Sequence, residues 1–478
     1  MAEEGLKHKA VKGAFWNIGQ TLANQAVAFV ISVIIARLVL PKEFGLVAML
    51  SVFIAIANCF IESGISVALL RKNDRTNVDC STMLYFNILM AGVCYVILFF
   101  LAPIISEFYK MGELTNILRV TALGLIIGAT ATVQRMLFRA ALDFKTPAIC
   151  DLVSYILSGA IGIFLAYHKW GVWALVAQNI IGTIFSALFL WLASRWRPIW
   201  AFSFESLRES FGFGSKLLIS GLIDTAYNQI YPITIGKFFS ASQLAYFNRA
   251  FNLSSLASTT PTKMLSNVAF PILCKLQDSD DRLSSGYQRM IRITSFIVFP
   301  LTIGLGAIAY PLINVLLTEK WIEAAPLLQI AVFSGMWYPI HLLNLNLLQV
   351  KGRSDLFLKL EIVKKILGLS IIFISIPLGI KAMCYGAVIS SVLCLVINTH
   401  YTKRLIGLGL VQQARDFMRS LLLSLVMFAA CRVVIHFTGE GIVGLICSIA
   451  TGIIVYGGIA IATKMEEVSE LRNLLKRK

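Results

Sequence analysis

The stretch CSTMLYFNILMAGVCYVILFFLAPIIS, residues 80–106, decides the fold class because it contains no Asp, Glu, Lys or Arg. A helix rises about 1.5 Å per residue and a membrane span needs about 20 mostly apolar residues, so this stretch is long enough to cross a bilayer. Similar apolar runs fill most of the chain: 13–38, 43–70, 80–108, 114–138, 146–167, 171–193, 212–237, 241–270, 285–317, 322–349, 356–378, 381–401, 414–436 and 440–463. The sequence therefore predicts an all-α integral membrane protein with about fourteen transmembrane helices.

The composition excludes most soluble classes. The 478 residues are 58% hydrophobic and only 14% charged, with a mean hydropathy of +0.78, whereas soluble domains carry about 25% charged residues. The loops are too short for a large soluble domain, and the chain lacks a G-x4-GK[ST] phosphate loop and any metal or Ser/His/Asp constellation. We therefore expect no enzyme activity, no metal and no cofactor beyond a coupling ion, H⁺ or Na⁺.

The net charge of +17 follows the membrane topology and does not indicate a nucleic-acid surface. Counted on alternate sides of the apolar runs, most of the 42 Lys and Arg residues fall on the side of the N-terminus. Basic loops are retained in the cytoplasm, so the bias predicts an even number of spans and cytoplasmic termini.

Weak internal similarity suggests a repeat. A shift of 200 residues places Arg37 on Lys237, Pro41 on Ala241 and Asn24 on Asp224, and a shift of 210 places Asp151 on Glu361. We predict an N-terminal six-helix half (1–200), a C-terminal six-helix half (201–405), and two additional helices with a basic tail (406–478). An even number of spans per half implies two bundles related by a pseudo-two-fold axis along the membrane normal, with a binding site at their interface.

Four segments resemble Wzx-type polysaccharide flippases of the multidrug/oligosaccharidyl-lipid/polysaccharide (MOP) exporter superfamily. They are IIARLVLPKEFGLVAM (34–49), IESGISVALLRKND (61–74), GFGSKLLISGLIDTAYNQIYPITIGKFFSASQLAYFNRA (212–250) and AFPILCKLQDSDDRLSSGYQRMIRI (269–293). The resemblance covers residues 13 to about 405 and is strongest to the colanic-acid and teichuronic-acid exporter branch. Residues 245–247 read Ala-Tyr-Phe where the family often has Gly-Tyr-Tyr, which leaves the substrate branch open.

The resemblance implies a flippase of the bacterial inner membrane, whose cargo is an undecaprenyl-diphosphate-linked oligosaccharide moved from the cytoplasmic to the outer leaflet. It also implies alternating access around a central cationic cavity, and a place in lipopolysaccharide, capsule or exopolysaccharide assembly beside a polymerase and chain-length machinery. Membrane lipid is the other expected partner, and nucleic acid is not one.

Charged and polar residues inside the apolar runs are the candidate substrate contacts, because such residues usually face a cavity or a partner. Arg249 and Lys263 are 14 residues apart, nearly four helical turns, so they share one face of the eighth run. A diphosphate would bind both cations. The alternative is that Arg249 extends to water at the membrane interface.

The seventh run carries Asp224 and Asn228 on one polar face, where Asp224 is the best carboxylate for a coupling ion. Asn24 lies on a similar face of the first run, and ordinary interhelical hydrogen bonding is the alternative for both faces. Arg37 and Lys237 would receive the diphosphate at the outer ends of their helices, or would simply anchor those ends.

Four further residues are candidates either for ion coupling or for structural ion pairs: Glu62, Arg119, Asp151 and Glu361. Glu361 is three residues before Lys364 and four before Lys365, so a pair within its own helix is expected.

Two other functions are less consistent with the sequence. A MATE-like multidrug or cation antiporter of the same superfamily would need a cavity dominated by carboxylates, whereas this chain has more Arg and Lys within its apolar runs. A membrane polymerase or glycosyltransferase would need a substantial soluble loop, and the loops on the side opposite the N-terminus are short.

Overall fold

The computed structural model describes residues 23–62, 69–70, 72 and 74–470, and these residues are almost entirely helical. They divide into two compact units, residues 1–245 and 246–478. The helices of the first unit are α1 Ala23–Leu38, α2 Pro41–Glu62, α3 Asn77–Tyr109, α4 Leu114–Ala129, α5 Thr132–Ala140, α6 Lys145–Tyr167, α7 Val172–Ala193, α8 Phe204–Asn228 and α9 Ile230–Phe238. Helix α10, Ala241–Lys275, begins in the first unit and continues into the second.

The second unit contains eight further helices and two 3₁₀ turns, Glu319–Trp321 and Ile376–Leu378. The helices are α11 Asp280–Ala307, α12 Ala309–Leu317, α13 Ala324–Gly335, α14 Tyr338–Val350, α15 Ser354–Ser375, α16 Ile380–Ile406, α17 Leu410–Thr438 and α18 Ile442–Ala462.

Each predicted apolar run coincides with one helix or with two consecutive helices separated by a short break, apart from the parts of the first two runs that lie outside the described residues. Within the described part of the chain, nine helical segments are long and apolar enough to cross a membrane, with α13 and α14 counted together as one segment, Ala324–Val350. The number is ten if the bent pair α4 and α5 also forms one span. The all-helical membrane fold is confirmed, while the count of fourteen spans stays a prediction.

Helix α3 shows how the opening stretch folds. Thr76 accepts a hydrogen bond from the backbone N–H of Asp79, and the Asp79 carboxylate accepts one from the N–H of Thr76, so two donors at the helix start are satisfied. The 33-residue helix is about 50 Å long, more than the hydrocarbon core needs. Phe100 is 72% exposed and Ile104 61%, which is the arrangement expected of a helix that faces lipid.

Small residues allow close helix packing in the first unit. Ala57 of α2, Ala91 of α3 and Ala122 of α4 meet in one buried cluster, as is usual for helices packed in lipid. Gly45 of α2 lies so close to Ala241 that an added Cβ would be 1.8 Å from the Ala241 carbonyl oxygen. The backbones at these two positions are therefore in direct contact.

The core of the second unit is aromatic. Phe299 of α11 packs edge-on against Trp337 and against Phe417 of α17, and Tyr456 of α18 donates a hydrogen bond to the Phe296 carbonyl of α11. The two helices predicted as additions, α17 and α18, therefore pack on α11 as part of this unit's core.

Two pairs of helix bounds share the 200-residue offset on which the predicted repeat is based. Helices α1 and α9 end at Leu38 and Phe238, and helices α2 and α10 begin at Pro41 and Ala241, in each case with the 200-residue offset read from the sequence. The predicted domain boundaries at residues 200 and 405 stay predictions.

Asp143 organises the turn before α6. Its carboxylate accepts hydrogen bonds from the backbone N–H groups of Lys145 and Thr146 and from the Thr146 hydroxyl. Partial burial raises the pKa of Asp143, but the hydrogen bonds from Thr146 and Lys145 outweigh it and hold the pKa below its ordinary value. The ionised form of Asp143 therefore stabilises the start of α6.

Candidate functional site

A polar cavity of about 580 Å³ lies inside the first unit. Its walls come from α2, from the junction of α4 and α5, and from α6 and α7, which are otherwise apolar. We call it the N-terminal polar cavity and define it by its lining residues: Asn58, Ile61, Glu62, Gly128, Ala129, Ala131, Thr132, Arg135, Asp151, Ser154, Tyr155, Ser158, Gln178, Asn179, Gly182, Thr183, Ser186 and Ala187.

An ion pair forms one wall of this cavity. Arg135 Nη1 and Nη2 donate to the two oxygens of Asp151 at 2.7 and 2.9 Å, and Nη2 also donates to Ser186 Oγ at 3.0 Å. Ser186 in turn donates to Asp151 Oδ1 at 2.8 Å. The side chains of Arg135 and Asp151 are 34% and 26% exposed, so this bidentate pair joins three helices while facing the cavity.

The break between α4 and α5 places Arg135 on this wall. The two helices meet at 40°, and Asn87 of α3 donates to the Thr132 hydroxyl at 2.8 Å at the start of α5. A straight continuation of α4 would give the residues of α5 a different direction, so the bend positions the cation.

Glu62 and Asp151, which were predicted as coupling or pairing residues, both line the cavity. The other polar side chains of the lining were not predicted; they include Asn58, Arg135, Gln178, Asn179 and Ser186. A signal existed for some of them, because Asn58 is four residues before Glu62 on one face of α2, and Gln178–Asn179 interrupts the apolar run of α7.

The predicted cations of α10 lie in the second unit. Lys263 is exposed, and the same side of the helix exposes Asn252 and Ser255. Arg249 is half-buried, with its Cζ 5.0 Å from the centroid of the Trp321 ring, a cation–π distance. The exposed side of α10 is therefore polar around Lys263. The opposite, buried side of this helix carries serine and threonine hydroxyls.

On α8, the side chains of Asp224 and Asn228 are both exposed, as are Lys216 and Ser220 on the same face. On α1, Asn24 is half-buried and donates to the Ala148 carbonyl of α6 at 3.3 Å. The structure thus gives Asn24 the interhelical hydrogen bond that was its alternative role. The other polar residues expected on the same face of the first run, Asn17 and Thr21, lie outside the described residues.

Lys237 and Arg37, the cations predicted at the outer ends of their helices, lie in different surroundings. Lys237 donates to the Phe108 carbonyl near the end of α3 and lies 4.0 Å from the Phe108 ring centroid, so it holds a helix end, as its structural alternative supposed. Arg37 is exposed in the last turn of α1.

Two more candidates make local structural contacts. Arg119 Nε donates to the Phe99 carbonyl at 3.3 Å, with its guanidinium 4.1 Å from the Phe99 ring centroid. Glu361 forms the expected ion pair with Lys364.

A second polar cluster, not predicted, lies in the second unit. His341 Nε2 is 3.1 Å from Ser391 Oγ, and its Nδ1 is 3.1 Å from Asn398 Nδ2. The Ser391 hydroxyl donates to the Ser334 carbonyl, so it accepts from Nε2–H, and Nδ1 accepts from the amide. The neutral ring therefore links α14 to α16.

Three comparisons place the chain among known proteins. Residues 34–326 match the family model described as polysaccharide biosynthesis protein. The teichuronic acid biosynthesis protein TuaB of Bacillus subtilis is 25% identical, covering 93% of this chain and 94% of the relative. The lipopolysaccharide biosynthesis protein WzxC of Escherichia coli is 22% identical, covering 82% and 80%.

The fold matches a solved flippase. The inward closed conformation of the lipid II flippase MurJ superposes with a TM-score of 0.77 at 15% identity, covering 94% of this chain and 99% of that one. The predicted resemblance is confirmed: the family model and the relatives are named for polysaccharide biosynthesis, and the fold is the one found in the MOP superfamily. The chain belongs to the polysaccharide biosynthesis protein family and is a multi-pass membrane protein with the fold of the MOP exporters.

Proposed function

We propose that this protein flips an undecaprenyl-diphosphate-linked oligosaccharide from the cytoplasmic to the outer leaflet of the bacterial plasma membrane, for surface polysaccharide assembly. The observation that carries the proposal is the relationship, along nearly the whole chain, to proteins named for teichuronic acid and lipopolysaccharide biosynthesis. The fold shared with a protein named as a lipid II flippase supports the same reaction type.

The charges on α10 suit the diphosphate of this cargo. Lys263 is exposed, and Arg249 is half-buried within the same helix. An anion crossing an apolar layer is stabilised by fixed cations, which replace part of its hydration. Lys263 acts here as a point charge, and Arg249 as a planar group able to bind two oxygens.

Transport proceeds by alternating access, with both termini in the cytoplasm and a proton or sodium gradient as the driving force. Asp224 is the proposed coupling carboxylate, because it is exposed on the polar face of α8 that also carries Asn228. A polysaccharide polymerase and chain-length proteins receive the flipped repeat unit.

The test is deletion of the gene in its own organism, followed by mass analysis of prenyl-diphosphate-linked sugars. We expect one oligosaccharide repeat to accumulate and a surface glycan to be lost. Complementation with wild-type protein, Lys381→Ala or Arg404→Ala should restore the glycan, because these exposed cations belong to α16 and not to α10. Arg249→Ala and Lys263→Ala should fail to restore it at equal protein levels.

An unchanged lipid-linked pool, together with new sensitivity to cationic dyes, would contradict the proposal and favour a drug antiporter. Full complementation by both α10 variants would leave the flippase in place and remove its cation assignment.

A further inference from the structure

Four polar side chains of the N-terminal polar cavity are not used by the fold. Asn58, Glu62, Gln178 and Asn179 line the cavity, and within the described part of the chain their side chains make no hydrogen bond or ion pair with protein groups. A side-chain amide offers two N–H donors and one acceptor oxygen. Three amides and one carboxylate are thus available to whatever occupies the cavity.

The charges of the lining disfavour a phosphate group. Arg135 is the one Lys or Arg among the lining residues, and both of its terminal nitrogens are bound to Asp151. With Glu62 also present, the lining carries a net charge of −1 (one Arg against one Asp and one Glu). A diphosphate entering here would meet repulsion and would compete with Asp151 for the guanidinium.

A bare metal ion fits no better. Both Asp151 oxygens are taken by Arg135 and Ser186, which leaves Glu62 as the one uncommitted carboxylate of the lining. Across the described residues, no group of three or more His, Cys, Asp or Glu side chains is placed to hold a metal ion.

A polyhydroxyl ligand matches this lining. Every sugar hydroxyl is both a donor and an acceptor, as is every amide, and the cavity volume of about 580 Å³ lies within the range of small-molecule sites. We propose that the N-terminal polar cavity binds the neutral sugar part of the cargo, through Asn58, Gln178 and Asn179, and leaves the diphosphate outside. The proposal rests on the function proposed above.

In this assignment the Arg135–Asp151 pair is a positioning element. It fixes the wall that α5 and α6 contribute to the cavity, and Ser186 of α7 completes this wall. Tyr155, which is 48% exposed and lines the same cavity, adds an amphipathic ring beside the amides.

The test measures binding of two lipids to the full-length protein in nanodiscs, by native mass spectrometry. The first is the lipid-linked oligosaccharide extracted from the deletion strain, and the second is undecaprenyl diphosphate without sugar. Asn58→Ala and Asn179→Ala should each weaken binding of the sugar-bearing lipid about two- to tenfold, the effect of one neutral hydrogen bond. Binding of the sugar-free lipid should not change.

Asn116→Ala is the matched control, because Asn116 is an exposed amide of the same unit outside the cavity lining. It should leave both affinities at the wild-type value. Asn179→Gln retains an amide and should recover part of the loss, which separates a ligand contact from a change in folding.

Equal weakening of both lipids, or no weakening of either, would overturn the sugar assignment, while the phenotype of the deletion strain would stand unaffected. Tetraphenylphosphonium provides the opposing probe. Binding of this cation that is abolished by Glu62→Gln, without any effect of Asn58→Ala on the sugar-bearing lipid, would instead make the cavity a cation site.

Discussion

Gly45→Ala is expected to disrupt the first unit, although it adds a single methyl group. The new Cβ would lie 1.8 Å from the Ala241 oxygen and 2.4 Å from its carbonyl carbon, whereas real Cβ contacts are essentially never under 3.0 Å. The two backbones must therefore separate by more than about 1 Å. Overpacking typically costs about 1–3 kcal/mol. Because the obstacle is backbone, we expect the upper end, about 3 kcal/mol, or a roughly 150-fold lower ratio of folded to unfolded protein.

The assay is size-exclusion chromatography of a fluorescent fusion in detergent, combined with thermal unfolding. Gly92→Ala in α3 is the control, since a Cβ there has nothing within 4 Å and gains about 0.5–1 kcal/mol of helix propensity. We expect Gly45→Ala to give little monodisperse protein and Gly92→Ala to resemble or exceed the wild type. Equal yield, melting temperature and transport for the two variants would refute the close contact at Gly45.

Three further predictions concern a hydrogen bond at a helix end, an ion pair and a titrating carboxylate. Lys237→Ala should lower the free energy of unfolding by about 1 kcal/mol, and with it the melting temperature, because the Phe108 carbonyl loses its hydrogen-bond donor. Substrate affinity should not change. Lost affinity at an unchanged melting temperature would make Lys237 a substrate contact instead. Arg135→Ala and Asp151→Ala should be non-additive, with a coupling of about 1–3 kcal/mol in a double-mutant cycle of stability; additive losses would argue against the bidentate pair. Asp143→Asn should destabilise the folded protein at pH 7, because the pKa of Asp143 is lower in the folded state than in the unfolded chain. The stability that the ionised carboxylate contributes is fully present above the unfolded-state pKa of about 3.9. It is lost as the pH falls through the folded-state pKa. A wild-type advantage over Asp143→Asn that persisted or grew at pH 3 would contradict this sign.

The helix bounds were predictable because apolar runs and their breakers act locally. Pro41 begins α2, as its fixed φ and missing N–H favour the first turn of a helix. The breaks inside the apolar runs could not be predicted in the same way. Thr130 and Ala131 separate α4 from α5 without a proline or a charge to mark them, because the bend depends on packing between helices.

The N-terminal polar cavity shows the same limit. Asp151 was recognised as a charge within an apolar run, whereas its partner Arg135 was not among the candidate residues. The pair forms across α5 and α6 and is completed by Ser186 of α7, a meeting of three helices that no local pattern encodes. Single polar positions can be read from the sequence, whereas their grouping requires the fold.

Reconstitution tests the central claim most directly. Purified protein is placed in vesicles that carry the lipid-linked oligosaccharide in the inner leaflet alone, and a membrane-impermeant periodate reagent measures how fast the sugar becomes accessible outside. We predict rapid exposure with the wild-type protein and with Lys381→Ala, and exposure at the protein-free rate with the double variant Arg249→Ala/Lys263→Ala. A wild-type rate equal to that of protein-free vesicles, with and without an imposed proton or sodium gradient, would contradict the account.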